Sequence, residues 1–592
     1  MTEPGLARYL TVLYGDVSMS TIQIENDILV PMRDGVQLGT TVIRQAAGGP
    51  QPVLLARTPY NKDGWVFDNL FIFDVFRAVE AGYTVVVQDS RGRFASEGEF
   101  TSLLTERDDG QDALAWIVAQ PWSNGVIGMF GGSYVGATQW LAAQGGPEAL
   151  KALVPVVTIS DSYEGMQYQG GAKVHHGVGW AMLMSGESLR RRLVAGDAPP
   201  AEPAAFDVEA ATARLPLNDQ PWLAELAPYY LDWLSHPQPG AYWEPGSPNS
   251  AYDRITAPAL NVGGWFDIFL WGTLENYTSM RRRGGSGVAR RNQRLIIGPW
   301  SHMNYTGSFP EREFGIGAGV RAIDLTGLHI RWYDRWLKGE VNGIDQEPPV
   351  KLFVMGIDRW RDEADWPLAD TQYQPYYLHS GGTANSLRGD GALNPEPPGD
   401  EPPDTFLYDP LRPVPTLGGQ VLIPGGNGTG PRDQREVEAR DDVLVYSTPV
   451  LEHPIEVTGP VSLELFIASS APDTDFTGKL VDVYPDGRAM LLTEGILRAR
   501  YRKALVDPEL MQPGVVYALR LDLWATSNVF LAGHRIRLEV SSSNFPRFAR
   551  NSNTGGDVAT EAAEAYRPAI QRVFHDTHRA SRLILPIIAR GN

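Results

Sequence analysis

A chain of 592 residues is too long for one hydrophobic core, and ordinary domain sizes predict about three or four domains. Apolar residues make up 43% and charged residues 20%, the balance of a water-soluble globular protein, and the net charge of -19 argues against a nucleic-acid partner, which needs basic patches to displace counterions. Cysteine is absent, which excludes disulfides, zinc–thiolate sites and thiol nucleophiles.

Residues 1–20, MTEPGLARYLTVLYGDVSMS, lack a basic start followed by a sustained apolar stretch, so no secretory signal is expected. No run of about 18 apolar residues occurs anywhere, which predicts no membrane span, no membrane partner and a cytoplasmic location. The stretch 28–43, ILVPMRDGVQLGTTVI, sets Arg-Asp-Gly between two apolar runs and reads as a hairpin. Val53–Ala56 and Thr84–Val87 read as short buried strands with a helix near 70–80 between them. Ala113, Leu114, Ile117 and Val118 recur at helical spacing within 106–120. Strands alternating with helices predict a largely parallel sheet covered on both faces.

Next comes GMFGGSYVGATQW, residues 128–140. Val126–Phe130 reads as a strand and Tyr134–Gln144 as a helix, with Gly-Gly-Ser at the corner. Small neighbours are needed where backbone crowds backbone, so the glycines let Ser133 stand above the sheet at the helix N-terminus. Gly-x-Ser-x-Gly is not strictly met, because Val135 holds the last position and Gly136 follows it. On the motif alone, a catalytic serine and a plain turn both remain open.

After Val157 the rhythm changes. Residues 161–256 carry helix-like runs such as PWLAELAPYYLDWL, rich in tryptophan and tyrosine and broken by prolines, and read as a helical insertion of the kind that forms lids. Strand-like runs return at 259–262 and 294–297, so the first domain is resumed. Residues 391–433 are dense in proline and glycine. Period-two alternation then appears at Val461, Leu463, Leu465 and Ile467, at Leu519, Leu521 and Leu523, and at Ile536, Leu538 and Val540, predicting an antiparallel β-sandwich.

A nucleophilic serine needs a histidine base oriented by a carboxylate, and doubly wound hydrolases supply them in the chain order serine, acid, histidine. His302 follows RLIIGPWSH, a strand, a Gly-Pro break and then the imidazole. Asp267 repeats that grammar in ALNVGGWFD. All three residues therefore fall on loops leaving strand carboxyl ends, where functional groups gather in open α/β sheets. Gly284-Gly285-Ser286-Gly287 also brackets a serine with glycines, but no apolar strand precedes it and it reads as a flexible loop. His175-His176 and the pair His575 and His578 lack an obvious third ligand and read as solvated histidines rather than a metal site. Asp89-Ser90-Arg91-Gly92 reads as a brace for the loop beside the serine. The backbone N–H of Tyr134 supplies one oxyanion donor. In RTPYNK, Pro59 has no N–H to give, which leaves the Tyr60 hydroxyl as the second.

These residues carry a resemblance to a known family. From VPMRDGVQL through RTPYNK, DSRGRFASEGEF, GMFGGSYVG, GGWFD and GPWSH to KLFVMGIDRWRDE, KLVDVYPDGRA and SNVFLAGHRIRLEVSSSNFPRFARNSNTGG, the chain resembles the cocaine esterase group of the X-prolyl dipeptidyl-peptidase-like serine hydrolases. That family's elbow is Gly-x-Ser-Tyr-x-Gly, which Gly131, Ser133, Tyr134 and Gly136 reproduce. The resemblance implies an α/β-hydrolase domain over 20–160 and 257–370, a helical insertion over 161–256 and a jelly-roll β-sandwich domain over 371–592, with the active site at their junction. It implies Ser133 as nucleophile, His302 as base, Asp267 as its orienter, and Tyr60 with Tyr134 as the oxyanion hole. It also implies aromatic walls to the substrate pocket. Trp180 and Phe269 persist, whereas Gln167 stands where relatives carry tryptophan, and Leu422-Ile423 where they carry Leu-Phe, which predicts a reshaped acyl site.

The expectation is a cofactor-independent, metal-free serine esterase acting through an acyl-enzyme on small esters, aromatic ones included, and the resemblance points to a homodimer. An amidase, aminopeptidase or β-lactam acylase of the same superfamily is the alternative. Against it, recognition of a free amine needs an acidic group near the serine, while Asp267 is followed by apolar Ile268 and Phe269. A carbohydrate-binding protein using the jelly roll is the alternative of another class. Sugar sites favour exposed aromatics on a sandwich face or loop, and the alternating strands show only scattered ones, such as Trp524.

Overall fold

The computed structural model describes residues 22–198, 207–422 and 428–590. Ten strands form the first sheet: β1 (Ile22–Pro31), β2 (Gln37–Gln45), β3 (Gln51–Thr58), β4 (Thr84–Asp89), β5 (Ser123–Gly132), β6 (Leu150–Val156), β7 (Leu260–Phe266), β8 (Arg294–Ser301), β9 (Val350–Val354) and β10 (Arg359–Glu363). Their order is β1-β2-β4-β3-β5-β6-β7-β8-β9-β10, parallel from β4 through β9 and antiparallel at both edges. The β1–β2 hairpin turns at Arg33-Asp34-Gly35, and Gly35 takes the positive φ of 88° that the turn requires.

Burial on both faces explains the continuous apolar runs of the parallel strands. Along β3 and β4, Leu54, Val85 and Val87 join the core under the helix Leu325–Leu337 through Trp332 and Tyr333. The alternate residues Val53, Leu55 and Val86 join the opposite core with Leu114, Ile117 and Trp140, from the helices Glu106–Val118 and Tyr134–Ala143. Each such side chain contributes roughly 1.5–3 kcal/mol by leaving water. The helix expected near 70–80 is shorter, Val75–Glu80, because Asp74 caps its start by accepting from the N–H groups of Phe76 and Arg77.

Between β6 and β7 the chain leaves the sheet. It forms a small hairpin (Tyr168–Gln169 with Ala172–Lys173), the helix His176–Val194, and the short helices Pro221–Leu226 and Tyr229–Ser235. Pro228 falls between the last two, so the run PWLAELAPYYLDWL breaks there. Tyr163, Tyr168, Tyr230, Trp233 and Trp243 pack this excursion into a further core, which Ala549, Val558 and Ala559 of the β-rich region also join.

From Thr371 onward the strands pair almost entirely antiparallel in a twelve-stranded sheet system. Along Ile455–Ser469, Val461, Leu463, Leu465 and Ile467 point inward while Ser462, Glu464 and Phe466 between them are half-buried, as the alternation predicts. This region is tied to the first sheet, where Gln420 Nε2 donates to Trp265 O at 3.1 Å and Val529 N to Met355 O at 2.8 Å.

Two local expectations are corrected. Ser286 does not lie in a flexible loop: it caps the helix Gly287–Arg291, its hydroxyl accepting from Ala289 N. Trp524 is no exposed ring, since it is 5% accessible and packed in the β-rich core. Among the described residues no helix is long and apolar enough to cross a membrane.

Candidate active site

Ser133 sits between β5 and the helix Tyr134–Ala143 with φ 60° and ψ −126°, a conformation that L-residues avoid. The surrounding backbone holds it there. Ser133 N donates to Val156 O at 2.9 Å, and Thr158 Oγ1 donates to Ser133 O at 2.7 Å. Two glycines make the turn fit. Gly131 has φ 124°, and a Cβ there would lie 2.3 Å from Val135 Cγ1. A Cβ on Gly136 would lie 2.6 Å from Thr158 Cβ. The glycine displaced by one position relative to Gly-x-Ser-x-Gly is therefore the one that lets the helix approach Thr158.

β5, β7 and β8 run parallel, so the residues that follow them emerge at one edge of the sheet. There His302 Nε2 lies 2.9 Å from Ser133 Oγ, and His302 Nδ1 lies 2.7 Å from Asp267 Oδ2. Asp267 is fully buried, and its other oxygen, Oδ1, accepts from Phe269 N at 2.7 Å. Ser133 itself is partly exposed. A hydroxyl, an imidazole and a carboxylate thus form one hydrogen-bonded chain, the arrangement that lets an imidazole take a proton from a serine while a carboxylate fixes its tautomer.

Tyr60 approaches the same serine from the loop after β3. Trp180 Nε1 donates to the Tyr60 oxygen at 3.0 Å, leaving the phenolic O–H free to point elsewhere, and burial raises the Tyr60 pKa so that it keeps its proton. Tyr134 opens the helix, where the first backbone N–H groups have no intrahelical partner. Its phenol is anchored on the far side by donating to Glu106 Oε1 at 2.9 Å and accepting from Leu103 N at 2.8 Å. Glu106 in turn pairs with Arg57 at 2.5 Å, and both are buried. Asp89 accepts from Lys62 N and Ala95 N, and Arg91 pairs with Asp34 and Asp109, so this segment braces the loops beside the serine as expected. Arg57→Met strands the Glu106 carboxylate in the core, and a loss of about 3–5 kcal/mol in urea unfolding is expected. A midpoint equal to that of the unaltered protein would show the pair to be dispensable.

Ser133 and His302 open into a cavity of about 450 Å³, its mouth included. Apolar groups dominate its wall: Leu103, Ile159, Met166, Trp180, Ile268, Phe269 and Leu422. Trp180, Phe269, Gln167 and Leu422 thus all reach it, as does Tyr60, whereas Ile423 lies outside the described residues. Among the described residues the lining holds no carboxylate.

The solvated reading of the paired histidines is overturned. His175 and His176 are buried, and desolvation lowers each to a pKa of about 3, leaving them neutral. His176 lines the cavity. One signal could have found it: His176 and Trp180 stand four apart on the helix His176–Val194 and share a face. His575 is likewise buried, between Glu401 and Asp404 in the β-rich region, while His578 is exposed. Among the described residues no group of three or more His, Cys, Asp or Glu could hold a metal ion.

The sequence matches two family models: X-Pro dipeptidyl-peptidase (S15 family) over residues 34–304, and the X-Pro dipeptidyl-peptidase C-terminal non-catalytic domain over residues 342–584. The chain is 45% identical to cocaine esterase of Rhodococcus sp. (strain MB1 Bresler) over 588 residues, spanning 96% of this chain and 99% of the relative. Two solved structures resemble it at TM-score 0.80. One is an aminopeptidase from the marine sediment archaeon Thaumarchaeota archaeon, 26% identical, with 96% of this chain and 97% of that one covered. The other is an α-amino acid ester hydrolase, 25% identical, with 97% and 99% covered.

Proposed function

This chain belongs to the X-Pro dipeptidyl-peptidase (S15) family, and on that premise we propose that Ser133 is its nucleophile, His302 its general base and Asp267 the orienting acid. It is a serine ester hydrolase, an α/β hydrolase followed by a β-rich C-terminal domain, and its substrate is a small-molecule ester. The observation that carries the assignment of roles is the unbroken contact from Asp267 through His302 to Ser133, at 2.7 Å and 2.9 Å.

In this reading Ser133 Oγ attacks the ester carbonyl carbon while His302 Nε2 takes its proton. Negative charge then gathers on the carbonyl oxygen, and the Tyr134 N–H and the Tyr60 hydroxyl donate to it. His302 next returns the proton to the departing alcohol, leaving an acyl group on Ser133. Water deprotonated by the same imidazole attacks that acyl carbon, and the acid leaves as Ser133 regains its proton. Tyr60→Phe removes one oxyanion donor and is expected to lower kcat by about 10² to 10³-fold with a smaller change in KM. Stopped-time assays over a range of ester concentrations measure the two separately, and an unchanged kcat would remove Tyr60 from the oxyanion hole.

The lining favours an ester over a peptide bearing a free α-amine, because no carboxylate among the described lining residues awaits an ammonium group. Comparing an ester with its isosteric amide and with an α-amino ester tests this. Faster turnover of the amino substrate would point instead to an aminopeptidase. The same proposal carries the division into 20–160 with 257–370, 161–256 and 371–592, the jelly-roll form of the last region, cytoplasmic location and a homodimer. The excursion between β6 and β7 and the change to antiparallel pairing at Thr371 support the division.

A further inference from the structure

Besides the reacting groups, two polar groups in the cavity wall have no hydrogen-bond partner among the described residues. Gln167 is 1% exposed and lines the cavity. Its Oε1 accepts from Lys173 Nζ at 2.6 Å, and Lys173 also donates to Gln167 O at 3.3 Å. Lys173 thus donates to the amide oxygen, and Nε2 is turned away from it. Among the described residues Nε2 makes no hydrogen bond. His176 is 7% exposed, and its Nε2 is buried without a partner. Both side chains line the one cavity, and Gly177, next to His176, lies so close to Gln167 that a Cβ on it would stand 2.5 Å from Oε1. Phe269 packs edge-on against both His176 and His302, at ring separations of 5.7 Å and 5.2 Å, which links this spot to the reacting centre.

Buried donors and acceptors are normally satisfied, and unpaired ones at the wall of a ligand cavity await a ligand group. The amide Nε2 can only donate. The neutral imidazole has one nitrogen that donates and one that accepts. A single hydroxyl answers both, accepting from the amide and donating to the ring. The rings of Trp180 and Phe269 in the same wall suit an aromatic body behind that hydroxyl. Resting on the esterase reading above, we propose that the acyl pocket selects aromatic acids bearing a ring hydroxyl, which Gln167 Nε2 and the His176 imidazole bind. Lys173 acts as a positioning residue, holding the amide in the donating orientation.

The test compares kcat/KM for methyl benzoate with the methyl esters of 3- and 4-hydroxybenzoic acid and of their methoxy analogues. The methoxy group has similar electronic character but cannot donate. At one ring position the hydroxy ester is expected to be preferred about tenfold or more over both comparators. In Gln167→Leu and in His176→Phe that ratio is expected to fall toward unity. The unsubstituted ester serves as the internal reference against a general loss of folded enzyme. Binding of 3- and 4-hydroxybenzoate against benzoate to Ser133→Ala, measured by calorimetry, reads the same preference without turnover. No preference in either measurement, or a preference that survives in Gln167→Leu, overturns the inference and leaves the esterase reading intact. Preferential binding to Ser133→Ala together with absent ester turnover by the unaltered protein overturns the esterase reading and spares the pocket.

Discussion

Ser133→Ala is expected to lower kcat for p-nitrophenyl acetate by about 10⁵ to 10⁶-fold, the scale seen when a nucleophile acting as part of a unit is removed. The effects of Ser133 and His302 are not expected to add. With the hydroxyl gone the imidazole has no proton to take, so Ser133→Ala/His302→Ala should turn over as slowly as either single variant. Stability moves the other way. Ser133 holds φ 60° and ψ −126°, and strain of this kind costs of order 1–3 kcal/mol. Glycine accepts such a conformation readily, so Ser133→Gly should unfold at a higher urea concentration than the unaltered protein while having lost its turnover. Activity retained in pure Ser133→Ala would refute the assignment. A Ser133→Gly variant no more stable than the parent would show that the turn stores no strain.

The serine, the acid and the histidine were legible because each follows an apolar parallel strand directly. Strand, glycine break and polar residue are contiguous in the chain, and parallel strands deliver their ends to one edge. Ser286 shows the other side of that rule. It too is flanked by glycines, but with no strand before it, and it serves a helix cap rather than a turn above a sheet. The polar part of the cavity was not legible in the same way. A His-His pair carries no sign of burial, and nothing in the spacing from Gln167 to Lys173 reveals that a hairpin folds the ammonium back onto the amide. Trp524 was misread for a related reason: its burial comes from packing across the β-rich core, which alternation along one strand does not encode.

Gln167 and the buried Lys173 form a pair in the cavity wall. Gln167 is buried, and its amide needs a partner inside the protein. Lys173, lined by the rings of Tyr168, Tyr230 and Trp233 at 5.3–5.9 Å, supplies one. Burial lowers the Lys173 ammonium to a pKa of about 7.

Asp267→Asn is expected to lower kcat by about 10⁴-fold at neutral pH without disturbing the fold, and the reason lies in the second oxygen of the carboxylate. Asp267 Oδ1 accepts from Phe269 N, a buried backbone donor that still requires an acceptor after the substitution. The asparagine must therefore turn its oxygen toward Phe269 and its NH₂ toward His302 Nδ1. An N–H facing Nδ1 forces the ring proton onto Nε2, and the nitrogen 2.9 Å from Ser133 Oγ then has no lone pair with which to receive a proton. The base is lost by tautomer choice while every heavy atom stays in place. Asp267→Ala leaves Phe269 N unpaired but does not impose the tautomer, so its loss of activity should be smaller and its loss of stability larger than for Asp267→Asn. Initial rates and urea midpoints for the two variants decide between this account and a purely electrostatic one, which expects the two to lose activity equally.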